Sequence, residues 1–189
     1  KTTFIFVTHD QNEALTLSDR IAIMNKGTVE QIGTPTEVYE NPSTPFVAQF
    51  VGAGNMFKGK VLEEVQGQTA NLFRVETEGF GILTAKTHEE NGHRPKPGDQ
   101  CQILLRPEKI RIRVTGPDSN QANINSFKGS LLERIYSGPT THIKLQINDK
   151  LPPLMAMVAN QTAQKMPQLK LNEKYFAVWD ATDCTILKE

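Results

Sequence analysis

The sequence predicts a mainly β protein, a small barrel of two related repeats preceded by a short α/β segment. Three features of its 189 residues carry that reading. Residues 1–54 combine an apolar run with helix-start signals. Residues 55–189 alternate apolar and polar side chains in short stretches divided by turn residues. Within that second region one segment occurs twice.

The elements follow in chain order. Phe4-Ile5-Phe6-Val7 is apolar on both faces, the pattern of a strand covered on both sides in a parallel sheet. Asp10 stands three residues before Glu13, a capping-box spacing, so Gln11 to Leu17 is expected to be a short helix. Ile21 to Met24 and Thr28 to Ile32 form a hairpin about Asn25-Lys26-Gly27, where Gly27 supplies the positive φ of a tight turn. Thr34-Pro35-Thr36-Glu37 begins a helix, because Thr34 can cap, Pro35 fits the first helical position and Glu37 can reach back. Asn41-Pro42 ends it. Thr44-Pro45 starts another, with Phe46, Val47, Phe50 and Val51 as its apolar stripe and Gly52 and Gly54 as its stop.

Beyond residue 54 the period changes to two. Ile110, Ile112 and Val114 alternate with Arg111 and Arg113, and Ile143, Leu145 and Ile147 with His142, Lys144 and Gln146. Pro97-Gly98-Asp99 and Asn148-Asp149 supply turns, and the whole suggests a small barrel. "NMFKGKVLEE", Asn55 to Glu64, matches "NSFKGSLLER", Asn125 to Arg134, at an offset of 127 − 57 = 70. "PGDQCQILLRPEKIRI" aligns with "LNEKYFAVWDATDCTI" at 173 − 99 = 74. These are repeat signals and imply two β units, adjacent or intertwined. Gly59 and Gly129 would permit the same strand bend, and Gly116-Pro117-Asp118-Ser119-Asn120 reads as a polar linker.

Composition bounds the function. Lys+Arg 21 equal Asp+Glu 21, so no net field favours nucleic acid or an anionic bilayer; such a partner would need a local basic patch, and none is expected. No run of about 18 apolar residues could span a membrane, and Lys1 onward lacks the n- and h-regions of a signal peptide. Cys101 and Cys184 lie in apolar, strand-like contexts and are expected to be buried free thiols. In "HEENGH", His88 and His93 are five apart with Gly92 between them and Pro95 just after, so a loop is expected and no metal site. His142 should face outward from a strand. The aromatics, Phe57, Phe73, Phe80, Phe127, Tyr175 and Phe176, are expected to pack a core and not to stack nucleic-acid bases.

His9 differs because of its address. A parallel strand delivers its carboxyl end to the edge where α/β sheets bind ligands, and a histidine there can donate an imidazole N–H to a phosphate oxygen. The stretch "FVTHDQNEALTLSDRIAIMNKGTVEQIGTPTEVYENPSTPFVAQFVG" resembles the end of the nucleotide-binding subunit of ABC-type importers. The resemblance implies that His9 is the switch histidine that contacts the γ-phosphate, followed by Asp10 and Gln11 as in the family pattern. "NMFKG" and "LLRPEKIRI" resemble the transport-associated oligonucleotide-binding-like (TOBE) regulatory domain of the same importers. The run through Asn55-Met56-Phe57 and the ending "WDATDCTIL" are most similar to polyamine importers of spermidine and putrescine, with iron, sulfate and sugar importers close behind.

The sequence holds no G-x-x-x-x-G-K-[ST] phosphate loop, no Ser-Gly-Gly signature and no acidic magnesium-binding strand. The resemblance implies that these precede Lys1. Residues 1–54 would then be the C-terminal remnant of a P-loop nucleotide-binding domain and residues 55–189 a tandem TOBE, OB-like barrel for regulation and dimerisation. The whole subunit would be an ATPase using ATP and magnesium, while this segment alone is expected to bind neither nucleotide nor metal and to hydrolyse nothing. Implied partners are a second copy in a homodimer, transmembrane permease subunits and, indirectly, a periplasmic or lipoprotein substrate-binding protein, with no nucleic acid. The implied place is cytoplasmic, peripheral on the inner face of the membrane. With Phe4 to Val7 stripped of neighbours, the segment is expected to associate with itself. The competing reading is a free-standing OB-like module for an anion or metabolite, with Ser137-Gly138-Pro139-Thr140-Thr141 offering hydroxyls and amides.

Overall fold

The computed structural model describes residues 2–66, 71–87, 94–117, 123–160 and 169–188. Its contacts divide the chain into Lys1–Ala53 and Gly54–Glu189. The linker residues 118–120 and the whole of "HEENGH", with His88 and His93, lie outside the described residues.

The first unit contains α1 (Gln11–Leu17), the hairpin β1 (Ile21–Asn25) and β2 (Thr28–Gly33), then α2 (Pro35–Glu40) and α3 (Pro45–Val51). The hairpin turn takes left-handed φ at Lys26 (49°) and Gly27 (81°), the backbone that a two-residue loop between twisted strands requires. At α2 the capping box is complete: the Thr34 hydroxyl accepts from the Glu37 amide at 3.3 Å, and the Glu37 carboxylate accepts from the Thr34 amide at 2.7 Å. Hydrogen bonds to the Glu37 carboxylate from the Thr34 backbone amide, first, and from its side chain hold that carboxyl below the usual glutamate range. A small core of Ile23, Val38, Val47 and Val51 joins the pieces.

Two expectations fail here for physical reasons. Phe4-Ile5-Phe6-Val7 forms no ladder among the described residues and is exposed, Ile5 by 92%, because a strand exists only by pairing and nothing described pairs with it. In α3 the expected stripe splits: Val47 and Val51 are buried with Ala48, while Phe46 and Phe50 turn outward and stack on each other with centroids 5.9 Å apart. One helical face of seven residues cannot bury all four.

The second unit is mainly β. Strands β3 (Asn55–Glu64), β4 (Leu72–Thr77), β5 (Gly81–Lys86) and β6 (Gln100–Leu105) lead through a 3-10 turn, Pro107–Lys109, to β7 (Arg111–Arg113). The same order then recurs: β8 (Ile124–Ser137), β9 (Thr140–Gln146), β10 (Leu154–Ala159) and β11 (Lys174–Asp180) lead through a 3-10 turn, Ala181–Asp183, to β12 (Cys184–Lys188). Each last strand crosses to the other repeat. β12 closes a barrel ordered β12-β5-β4-β3-β6, and β7 completes a sheet ordered β10-β9-β8-β11-β7. The repeats are intertwined.

The equivalence reaches single hydrogen bonds. Val61 N donates to Asp99 O and Leu131 N to Glu173 O, both at 2.9 Å, while Gly98 N donates to Val61 O and Asn172 N to Leu131 O, both at 2.8 Å. The offsets are 131 − 61 = 70 and 173 − 99 = 74, those of the sequence repeat. Both first strands carry a bulge at the same place, between Val61 and Glu63 and between Leu131 and Glu133. A bulge sets two residues against one and so reverses the alternation, which leaves Leu132 at 44% exposure beside the buried Leu131.

Gly59 and Gly129 have a different task from the bend expected of them. A Cβ on Gly59 would lie 2.8 Å from the Glu76 carbonyl oxygen, and one on Gly129 2.9 Å from that of Gln146. The glycines allow close backbone approach.

The core is continuous across the repeats. Phe57 and Phe127 occupy equivalent inward positions, opposite Ile103 and Ala177. Phe80 contacts both edge-on, at 4.7 and 5.7 Å between centroids, and Phe127 stacks on the fully buried Trp179 at 5.5 Å. Cys101 and Cys184 are buried free thiols. Burial pushes the Cys184 thiol well up, and its sulfur accepts from Trp179 Nε1 at 2.8 Å. Val114 lies past the end of β7 and is exposed.

Candidate functional site

His9 sits in a bend just before the N-cap of α1, and its side chain is exposed. The sequence holds that bend locally. Asp10 has extended backbone (φ −86°, ψ 113°), and its carboxylate accepts from the amides of Asn12 at 2.8 Å and Glu13 at 3.2 Å. A capping acceptor on a residue of extended backbone starts a helix here. Glu13 does not complete the expected box with the Asp10 amide. Instead the Thr8 hydroxyl donates to Glu13 Oε2 at 2.9 Å and accepts from the Asp10 amide at 3.0 Å.

Thr8 and Glu13 therefore brace both sides of His9, a role the sequence reading did not assign them. Its signal was readable as a hydroxyl placed two residues before the N-cap. Among the described residues the imidazole makes no hydrogen bond, so both ring nitrogens are available to a ligand. The bracing fixes the backbone from which His9 projects, and the uncommitted imidazole can turn an N–H toward a phosphate oxygen.

In the alternative site, Ser137 to Pro139 are exposed, Thr140 is half-buried and Thr141 is buried. Thr141 Oγ1 donates to Asn160 Oδ1 at 2.5 Å, the Asn160 amide donates to Pro139 O at 2.9 Å, and Asn160 Nδ2 donates to Gly138 O. Asn160 thus engages one of the turn's three hydroxyls and two of its carbonyls. A cleft of about 550 Å³ beside the β3 bulge is lined by Glu63, Glu64, Phe73, Arg94 and Lys96, and its carboxylates are engaged by Arg74 on Glu63 at 3.0 Å and by Arg94 on Glu64 at 2.5 Å. His142 is exposed on β9, facing outward as its alternation implies. Among the described residues no cluster of metal-ligating side chains occurs, and no helix is long and apolar enough to cross a membrane.

Residues 103–187 match the TOBE domain family. Over nearly its whole length the chain is similar to curated spermidine/putrescine import ATP-binding proteins, each named PotA. That of Fusobacterium nucleatum is 39% identical over 185 residues, 96% of this chain and 47% of that protein. That of Trichodesmium erythraeum is 35% identical over 189 residues, 99% of this chain and 47% of that protein. That of Thermobifida fusca is 42% identical over 147 residues, 78% of this chain and 35% of that protein. The chain thus spans half or less of the length of these relatives. Among solved structures, the cytoplasmic molybdate-binding protein ModG, with molybdate bound, superposes with a TM-score of 0.61 at 15% identity, covering 71% of this chain and 96% of ModG. That likeness places the barrel in an OB-type fold.

Proposed function

From a chain related to the spermidine/putrescine import ATP-binding proteins and carrying a TOBE domain, we propose that it is the C-terminal part of the ATP-hydrolysing subunit of an ABC importer for polyamines. The supporting observation is similarity along 96–99% of the chain to relatives about twice its length, together with His9 held exposed before a capped helix. Residues 1–54 form the end of the nucleotide-binding domain and residues 55–189 the regulatory and dimerising barrel. In the whole subunit ATP and magnesium are held by segments outside this chain. His9 donates to the γ-phosphate and positions the attacking water, a charge-stabilising role of the kind phosphoryl transfer needs. The subunit works as a homodimer on the cytoplasmic face of the membrane against transmembrane permease subunits, with a substrate-binding protein delivering the polyamine from outside.

The test is His9→Ala in the full-length subunit. Turnover should fall on the order of 100- to 1,000-fold, the usual loss for one preorganised donor, with nucleotide affinity nearly unchanged. Hydrolysis at the parental rate would remove His9 from the mechanism. The same reading expects no micromolar Mg-ATP binding by residues 1–189 alone in a calorimetric titration, because one histidine cannot replace a phosphate cradle.

A further inference from the structure

His9 is enclosed by a ring of hydrogen bonds that a simple helix start does not need. In a capping box the Glu13 carboxylate would reach the Asp10 amide directly, and Thr8 would have no part. Here the Thr8 hydroxyl stands between them, accepting from the Asp10 amide at 3.0 Å and donating to Glu13 Oε2 at 2.9 Å. Helix α1 supplies the rest of the ring: Asp10 Oδ1 accepts from the Asn12 and Glu13 amides at 2.8 and 3.2 Å, and Asp10 O accepts from the Ala14 amide at 3.1 Å. The residues on both sides of His9 are thus tied to the first turn of α1, whereas a direct box would tie only Asp10.

The proton order in the ring is fixed. A carboxylate can only accept and a backbone amide can only donate, so the Thr8 hydrogen points to Glu13 and its lone pair to Asp10. Stability does not account for the arrangement, because both bonds to Thr8 are exposed, and water replaces an exposed partner at little cost. Nor does α1 need them to start, since its cap is the Asp10 carboxylate. What the two bonds supply is order in the backbone of His9. With Thr8 and Asp10 held, the imidazole has only its own two side-chain torsions to search.

We propose that Thr8 and Glu13 are positioning residues for ATP hydrolysis that act through His9. The inference rests on the reading of His9 as the γ-phosphate donor given above. Neither side chain needs to touch the nucleotide. A donor aimed at a phosphate oxygen works to the extent that its place is set before the reaction, and a misplacement of about 1 Å can cost roughly 100-fold in rate. The two residues hold His9 unequally. Removing the Thr8 hydroxyl releases the Asp10 amide and the Glu13 carboxylate together, whereas removing the carboxylate leaves the bond between Thr8 and Asp10 in place and breaks only the tie to the helix. Thr8 is therefore the stronger brace.

The test places Thr8→Val, Thr8→Ser, Glu13→Ala and Glu13→Gln in the full-length subunit, each alone and Thr8→Val also with His9→Ala. Thr8→Val keeps the shape and removes the hydroxyl. It should lower kcat about tenfold, inside the roughly 100-fold bound for misplacement, with KM for ATP changed less than about twofold. Glu13→Ala should lower kcat by a smaller factor, while Thr8→Ser and Glu13→Gln, which keep a hydroxyl and an acceptor oxygen, should stay within about twofold of the parent. Added to His9→Ala, Thr8→Val should cost less than about a further twofold, because residues acting through one group are not additive, whereas a role confined to the fold would add its whole loss. A readout free of activity is amide exchange in the 189-residue chain, followed by NMR. The Asp10 amide should exchange about threefold or more faster in Thr8→Val than in the parent or in Thr8→Ser. Parental kcat in Thr8→Val, equal losses in Thr8→Val and Thr8→Ser, full additivity with His9→Ala, or an Asp10 amide that exchanges alike in parent and Thr8→Val would each overturn the proposal and leave His9 in the mechanism. A parental rate in His9→Ala would remove the reading beneath it, and this inference with it.

Discussion

The first repeat closes into a barrel with the second repeat's last strand, while the second remains a five-stranded sheet with the first repeat's last strand, although both are built on one backbone plan. The difference teaches where sequence is free to change. Inward positions keep their character, with Phe57 matched by Phe127, Val61 by Leu131 and Ile112 by Ile186, all in or against one core. Outward positions diverge. Inner side chains are fixed by packing against both repeats at once, so altering one disturbs two hydrogen-bonded sheets, whereas a change at an exposed outer position such as Lys128 or Lys174 disturbs neither.

If the core is shared in this way, damage at its centre cannot stay within one repeat. Phe80 belongs to the first repeat but touches Phe57 of the first and Phe127 of the second. Phe80→Ala should cost about 3–5 kcal/mol, as for other buried aromatics. Denaturant unfolding followed by Trp179 fluorescence and by far-ultraviolet dichroism should show one coincident transition moved to lower denaturant. Two separated transitions would mean that the repeats fold independently and that the exchanged strands are ornamental.

A finer contrast lies in two asparagines. Asn55, at the head of β3, reaches the other repeat: its Nδ2 donates to Met155 O and its Oδ1 accepts from Met155 N, both at 2.8 Å. Asn125, at the same place on β8, treats Thr84 likewise, accepting from its amide at 2.9 Å and donating to its carbonyl at 2.8 Å. Each carboxamide stands in for a strand at the partner repeat's edge. Asn55→Ala and Asn125→Ala should each cost about 1–3 kcal/mol, because a buried donor and acceptor lose their partner. Native-state hydrogen exchange gives the sharper readout. Asn55→Ala should deprotect the Met155 amide and Asn125→Ala the Thr84 amide, and loss of protection within the mutated repeat alone would break the reciprocity.

Much of this plan was legible. The offsets of 70 and 74 in the sequence reappear as bond-for-bond equivalences, since repeats share backbone geometry and geometry constrains glycine, bulge and turn positions. The caps at Thr34 and Thr44 were legible because they are local. What escaped was set by distant partners. The strand expected at Phe4 to Val7 depended on neighbours the described residues do not supply, and the outward turn of Phe46 and Phe50 depended on how wide a face the small first core could cover. The exchange of β7 and β12 left no local mark. At the candidate site, His9 was found by its place after an apolar run and by family resemblance, while its bracing by Thr8 and Glu13 was not read, although a hydroxyl two residues before the N-cap signals it.

The smallest expected effect discriminates most finely between the repeats. Gly59→Ala and Gly129→Ala add the same methyl to equivalent strands, against carbonyl oxygens that cannot retreat without breaking the ladder. Overpacking of this kind costs about 1–3 kcal/mol. The second neighbour differs. At Gly59 the new Cβ would also meet Val75 Cγ1 at 2.7 Å, a stiff β-branched group with no exposed surface, whereas at Gly129 it would meet Ile147 Cδ1 at 2.6 Å, the far end of a longer and only partly buried side chain. Ile147 can swing aside and Val75 cannot. Gly59→Ala should therefore be the more destabilising of the two in urea unfolding, by a margin of order 1 kcal/mol within that range. The reverse order would show that the closed barrel yields more readily than the open sheet, and that closure confers less rigidity than its shared core implies.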